Sequence, residues 1–279
     1  VPELPEVETI RRQLAPLVVG RTLEHVAIDD PRWTRPLTPA AVEDALTGRT
    51  VERLSRRGKY LVWELSDEVF LIQHLRMTGT VLHDAPADTR HVHVRMALSD
   101  GHTLSISDPR RFGTGDLALG EEARDAYFAP RLGIEPLDGG LDGPALRAIV
   151  RDRRPPIKAV LLDQRQIAGV GNIYADEALF RAGIHPLRPA RQLTGAQCDA
   201  LAAGVVAALT AGLDAGGATI DDFRHVDGVY GGFQHEFLVH RREGEPCPTC
   251  GRTIVKFVAA GRGTYACETC QVKPRLRAR

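Results

Sequence analysis

The chain begins Val1-Pro2-Glu3-Leu4-Pro5-Glu6-Val7-Glu8, a proline-and-acid start that runs straight into an apolar repeat. Leu4, Val7, Ile10, Leu14 and Leu17 recur at helical spacing while Arg11 and Arg12 fall on the other face, so a leading helix packs on a core and holds Pro2 in place. Proline is tolerated in a first helical turn and acids there suit the helix dipole, so one reading of these residues is a helix start and nothing more. The other reading is chemical. If Val1 is a start codon decoded as initiator methionine and then removed, Pro2 carries a free secondary amine. An α-amino group titrates near about 7.7–8.0 against about 10.4 for lysine, so its neutral, nucleophilic fraction at neutral pH is roughly a hundredfold larger. An internal proline offers no such nitrogen. The residues alone leave both readings open.

Behind the helix the pattern becomes β. Tyr60 to Leu65 and Val69 to His74 are short β-rich runs. Val92, Val94, Met96 and Leu98 alternate with His91, His93 and Arg95, and an Asp100-Gly101 turn leads into Leu104 and Ile106, which predicts a hairpin. A β-sandwich or barrel with one leading helix fits this region. From about Gly133 the pattern turns helical: Leu146, Ile149 and Val150 share one short helix, and Ile157 to Leu162 begin another after Pro155-Pro156. Thr194 with Gln197 predicts a capping box for a long helix carrying Leu201, Val205, Leu209 and Leu213, which Gly216-Gly217 ends. Gly169-Val170-Gly171-Asn172 turns the chain just before a further helix, which makes it a candidate phosphate seat, although most such turns are only turns. A fold of multidomain α+β class follows, with domains at 1–132, 133–236 and 237–279.

Composition narrows the class. No apolar run approaches the roughly 18 residues of a membrane span, and the acidic start lacks the layout of a secretory signal, which predicts a cytoplasmic protein. The net charge of +0 argues against a polyanion partner until its distribution is considered. Arg241 to Arg279 holds nine basic residues and three acidic ones, so a nucleic acid would dock there, although from charge alone a solvated basic tail is the better reading. Within this region Cys247-Pro-Thr-Cys250 and Cys267-Glu-Thr-Cys270 are two CxxC knuckles sixteen residues apart. That spacing predicts a four-thiolate structural zinc site, one Zn2+ per chain, closing a small ribbon, in preference to a disulfide or redox pair. Cys198 stands apart on an apolar helix and reads as a buried small side chain.

Six ordered motifs together resemble the formamidopyrimidine-DNA glycosylase family: PELPEVET at Pro2–Thr9, RRGKYL at Arg56–Leu61, HLRMTG at His74–Gly79, DPRRFG at Asp108–Gly113, GVGNIYADE at Gly169–Glu177 and GRGTYAC at Gly261–Cys267. The resemblance implies a β-sandwich with a leading helix, a helix–two-turn–helix domain and a C-terminal zinc ribbon. It implies an enzyme that excises oxidised purines (8-oxoguanine and formamidopyrimidines) from damaged double-stranded DNA and cuts the strand by β,δ-elimination, acting as a monomer. By the same resemblance Pro2 is the nucleophile, Glu3 the acid that opens the sugar ring, Glu6 a supporting acid, and Lys59 a catalytic residue that grips phosphate together with Asn172 and Arg262. Met77, Arg110 and Phe112 match the trio that fills the gap left by an extruded base, with Arg110 reading the opposite cytosine through its donors. Taken singly, Met77 and Phe112 would read as core and Lys59 as a solvated lysine.

Lys158 matches a family lysine near the lesion, and Gly216 to Gly232 matches a loop that closes over the base, with Ala218 where many relatives carry threonine. The related endonuclease VIII family, directed to oxidised pyrimidines, typically has glycine where this chain has Leu4, which favours the purine branch. Retention of Val1 would block the amine and leave a non-catalytic damaged-DNA binding protein. The basic residues Lys273 to Arg279 are assigned no contact.

Overall fold

The computed structural model describes residues 2–219 and 224–274. The Val1 question, the middle of the expected loop and the end of the basic tail therefore lie outside the described residues. Contacts divide the chain into two compact units, Val1–Pro130 with Ala215–Gln234, and Arg131–Asp214 with His235–Arg279.

The first unit opens on α1 (Leu4–Val18), where Leu4, Val7, Ile10, Leu14 and Val18 are buried and Arg12 stays exposed. Next come β1 (Leu23–Ile28), α2 (Pro39–Leu46), β2 (Val51–Arg57), β3 (Tyr60–Leu65), β4 (Val69–His74), β5 (Thr80–His83), β6 (Val92–Leu98), β7 (Thr103–Ser107), β8 (Thr114–Leu119) and α3 (Glu121–Phe128). They build two antiparallel four-stranded sheets, ordered β1-β6-β7-β5 and β2-β3-β4-β8. One core joins both inner faces and the apolar stripe of α1, with Val26, Val81, Val94 and Leu104 from one sheet and Leu54, Leu61, Trp63 and Leu71 from the other. The expected sandwich with a leading helix is thus present, and both early strands and the β6–β7 hairpin form where the pattern places them.

One side chain departs from the alternation. A bulge between Val92 and Val94 turns His93 inward, where its Nε2 meets the carbonyl of Asp108 at 3.0 Å. Beneath β8 the indole of Trp33 lies flat against Gly115, so a Cβ at that position would stand 2.2 Å from the ring.

The second unit contains α4 (Gly143–Val150), α5 (Ile157–Leu162), α6 (Asn172–Arg181), α7 (Gly195–Asp214) and the β9 (Val255–Ala259)–β10 (Arg262–Ala266) hairpin. The predicted capping box starts α7: Gln197 N–H donates to Thr194 Oγ1 at 3.2 Å, and Thr194 N–H donates to Gln197 Oε1 at 3.1 Å. Gly216 and Gly217, both at positive φ, follow its end. By length and composition α7 could cross a membrane, contrary to the run-length reading, but it packs against α4 and α6 and buries Cys198, Leu201, Val205 and Leu209. Gly212 brings its backbone against the Tyr174 ring of α6, where a Cβ would meet the hydroxyl at 2.4 Å.

Gly115→Ala is expected to destabilise the first unit by about 1–3 kcal/mol through overpacking against Trp33, measured as a lower urea midpoint; an unchanged midpoint would show that the indole has room to withdraw.

Candidate functional site

In the first unit the site begins where the chain does. Pro2 and Glu3 are buried ahead of α1, and the carboxylate of Glu6, itself fully buried, accepts the Glu3 N–H at 2.8 Å through Oε2. Its other oxygen, Oε1, accepts the Ala218 N–H at 2.7 Å. Glu6 therefore ties the glycine-rich segment to the residue after Pro2, and Ala218 contributes its backbone, for which a missing threonine hydroxyl is immaterial. The same segment is pinned again at Val226, whose side chain joins the sandwich core, whose N–H donates to Gln13 Oε1 at 3.2 Å and whose carbonyl accepts from His83 N–H at 3.1 Å.

Lys59 sits half-buried in the β2–β3 turn. Strand register sets the adjacent Tyr60 opposite His74, whose ring lies edge-on to the tyrosine at 4.5 Å between centroids. Burial, with the Arg76 and Lys59 cations, pushes the His74 pKa down to about 3. The ring is neutral at neutral pH; Nδ1 accepts the Arg76 N–H at 2.9 Å, which leaves the proton on Nε2 as a donor. The HLRMTG motif contains His74, but only the β3–β4 register reveals this role.

Met77, Arg110 and Phe112 are carried by two turns stitched together by one buried carboxylate. Asp108 accepts the Thr78 hydroxyl in a short hydrogen bond, and it also accepts the backbone N–H groups of Arg110 at 3.2 Å, Phe112 at 2.9 Å and Gly113 at 2.8 Å. Arg111 takes a left-handed φ of 55° in the middle of this turn. So held, Phe112 is 50% exposed with the Arg110 guanidinium 4.7 Å from its ring centre, while Met77 is half-buried beside Thr78. An aromatic ring held in water by a charge-satisfied turn is suited to wedging rather than to core packing. Asp108 lies within a quoted motif, yet its four donors come from positions that no spacing rule links.

In the second unit, Asn172 is the first residue of α6, and its Nδ2 donates to the carbonyl of Gly263 at 3.0 Å. That bond sets Asn172 beside the β9–β10 turn, where Ala260 and Gly261 have positive φ and Arg262 is exposed. Lys158, expected at the lesion, stands inside the second unit. Its side chain is completely buried, and its ammonium donates to Asp176 Oδ1 at 2.7 Å, Thr264 Oγ1 at 2.8 Å and the Gly263 carbonyl at 3.5 Å. An ammonium has three donors, and here all three are spent inside the protein. These bonds hold the turn at Gly263 and Thr264. His240 Nδ1 completes the cluster, 2.9 Å from Asp176 Oδ2, and Glu177 accepts the N–H groups of Leu238, Val239 and His240 at 3.0–3.1 Å.

The four knuckle cysteines converge. All four sulfurs lie within 4.8 Å of one another, with Cys247 Sγ to Cys270 Sγ at 3.8 Å and Cys250 Sγ to Cys267 Sγ at 3.5 Å. Tetrahedral zinc with Zn–S of about 2.3 Å sets sulfurs about 3.8 Å apart, so the donor set fits Zn2+. The cluster is a structural zinc site.

Comparison with known proteins agrees along the chain. Residues 1–115 match the Formamidopyrimidine-DNA glycosylase N-terminal domain, 132–224 the Formamidopyrimidine-DNA glycosylase H2TH domain, and 244–272 the zinc finger found in FPG and IleRS. The formamidopyrimidine-DNA glycosylase of Thermus thermophilus is 45% identical over 275 residues, covering 97% of this chain and 98% of that one, and that of Cereibacter sphaeroides is 42% identical over 283 residues, covering 97% and 100%. Among solved structures, MutM (Fpg) of T. thermophilus superposes with a TM-score of 0.88 at 44% identity, covering 98% of this chain and 100% of that one. Lactococcus lactis Fpg in complex with abasic-site DNA superposes at 0.90 and 36%, covering 97% and 100%. This chain belongs to the formamidopyrimidine-DNA glycosylase family, and its fold is that family's: a β-sandwich with a leading helix, an H2TH domain and a four-cysteine zinc finger.

Asp108→Asn would turn an amide N–H2 toward backbone donors. It is expected to cost about 1–3 kcal/mol of stability, read from urea unfolding of the whole protein; no loss would show that the turn holds its shape without the carboxylate.

Proposed function

We infer that this protein is a base-excision repair glycosylase and AP lyase that removes oxidised purines from damaged duplex DNA and then cuts the strand, with Pro2 as its nucleophile. Full-length family membership supports the activity. The observation that carries the residue assignment is the Glu6 carboxylate, which fixes the backbone next to Pro2 and the Ala218 segment together.

With Val1 removed, the Pro2 amine attacks C1′ of the damaged nucleoside, the C1′–N bond breaks, and the base leaves with a proton. Glu3, next to the nucleophile, protonates the ring oxygen; the C1′–O bond opens and an iminium ion joins proline to the sugar. The iminium draws electrons from C2′, a proton is lost there, and the 3′ phosphate departs by β-elimination; a second elimination releases the 5′ phosphate. Hydrolysis of the iminium returns the amine. Neither elimination needs a redox cofactor.

Substrate grip divides between the units. Lys59, with the neutral Nε2–H donor of His74 behind it, suits one stretch of phosphates, and Asn172 with Arg262 suits another. Met77 and Phe112 fill the space of the extruded base while Arg110 donates to the acceptors of the orphaned cytosine, in a complex of one protein chain with duplex DNA inside the cell. The division at 1–132, 133–236 and 237–279 assigns the nucleophile to the first domain and the structural zinc to the last.

Borohydride is expected to trap a covalent adduct at residue 2 on 8-oxoguanine duplex, with intact mass showing Val1 absent. A Pro2→Gly variant that nicks at full rate, or native protein that nicks at full rate with Val1 in place, would overturn the assignment. Lys59→Ala and Arg262→Ala are each expected to flatten the slope of log K against log salt by about 0.9 per phosphate lost, on damaged and undamaged duplex alike. An unchanged slope would remove that residue from the phosphate contacts.

A further inference from the structure

Apart from the zinc cysteines, one group of metal-ligating side chains converges among the described residues: His83, Asp84 and His102, on the first unit. His83 ends β5, Asp84 follows it, and His102 lies in the β6–β7 turn, so the cluster is assembled by the β5–β7 pairing. Asp84 Oδ2 stands 2.5 Å from His102 Nδ1 and 3.5 Å from His83 Nδ1, and the two imidazole rings lie 4.8 Å apart with a 37° tilt. Each of the three offers a ligand atom within 4.8 Å of the others.

Backbone bonds aim the cluster. Thr103 N–H donates to Asp84 Oδ1 at 2.9 Å, which turns Oδ2 toward the imidazoles, and Asp84 N–H donates to the Thr103 carbonyl at 2.8 Å. Asp84 takes a left-handed φ of 48°, and His102 N–H donates to Asp100 Oδ1 at 3.2 Å, so both loops are held on either side of the carboxylate. His83 is anchored by its N–H on the Val226 carbonyl at 3.1 Å and lines a cavity of about 290 Å³ with Gln13, Leu17, Val226 and Asp227.

We propose that His83, Asp84 and His102 form a second metal site, separate from the cysteine cluster, that takes a divalent transition ion of the imidazole-preferring class (Zn2+, Ni2+ or Cu2+). Two imidazoles and one carboxylate are the donor set of such ions, whereas Mg2+ and Ca2+ require oxygen shells. A metal with ligands at about 2.0–2.2 Å needs donors roughly 3.3 Å apart, a separation that His83 and Asp84 already have and that His102 reaches by a rotation of its side chain. Three protein ligands at the surface leave further positions for water. The site abuts Val226, the residue that pins the glycine-rich segment to the sandwich.

The test uses full-length protein with its cysteine site filled with zinc, titrated calorimetrically with Ni2+. One Ni2+ per chain is expected in the wild type, weakened at least tenfold in His83→Ala and in His102→Ala, with the unfolding midpoint and strand-cleaving activity unchanged. Equal Ni2+ affinity in the wild type and the two variants would overturn the site. Electron paramagnetic resonance of the wild type with one equivalent of Cu2+ needs no variant: hyperfine coupling to two imidazole nitrogens supports the assignment, and coupling to one or none refutes it.

Discussion

A single buried carboxylate, that of Glu6, accepts the backbone N–H of Ala218, 212 positions along the chain, and with its other oxygen the backbone N–H of Glu3 beside Pro2. In the proposed function the nucleophile stands at a chain terminus with no covalent neighbour on one side, so noncovalent bonds must position it. Burial makes those bonds strong: with water excluded, a carboxylate that lost either donor would be left underpaired at a cost of about 1–3 kcal/mol or more. The β-sandwich core supplies the other half of the constraint, because the apolar stripe of α1 fixes where Glu6 itself stands.

The same device recurs. Asp108 collects one hydroxyl and three backbone N–H groups to shape the turn that presents Arg110 and Phe112, and Glu177 collects three N–H groups to hold the chain at 238–240. Lys158 and Asp176, both without solvent exposure, are joined by Thr264 and His240 into one cluster that sets the turn carrying Arg262. Burying charges is costly unless each one is paired and hydrogen-bonded, and here the pairing supplies geometry. Groups that meet DNA in the proposed function are therefore presented on irregular backbone: the turns around Lys59, Met77, Arg110 and Arg262, and the start of α6 at Asn172. Buried, hydrogen-bonded side chains, rather than long helices or strands, hold several of those turns in shape.

This arrangement suits an enzyme of the formamidopyrimidine-DNA glycosylase family. In the proposed function, base extrusion leaves a void in the stack, and Phe112, exposed and braced by Arg110, is already in water and placed to fill it. The neutral ring of His74 beside Lys59 adds a hydrogen-bond donor without adding charge, since burial and two nearby cations keep it deprotonated. The zinc site does structural work at the other end of the chain, closing a hairpin whose small core of Cys247, Ile254 and Cys267 packs with Val239 and Phe180.

Features with a local signature were legible in the sequence. The stripe of α1, the runs of β3 and β4, the Asp100-Gly101 hairpin, the Thr194–Gln197 capping box and the four zinc ligands all depend on residues within a few positions, or on a spacing that chemistry imposes, so period and spacing identify them. The six motifs located the candidate residues. Tertiary structure alone decided which of them act together: that Glu6 bonds Ala218, that Asp108 bonds Thr78, that His74 faces Tyr60, that a bulge turns His93 inward and that Lys158 is sealed inside a salt bridge. The physical reason is that a buried polar side chain has no periodicity. Its worth depends on which donors or opposite charges folding brings to it and on how much water folding removes, and neither is written in the order of neighbouring residues.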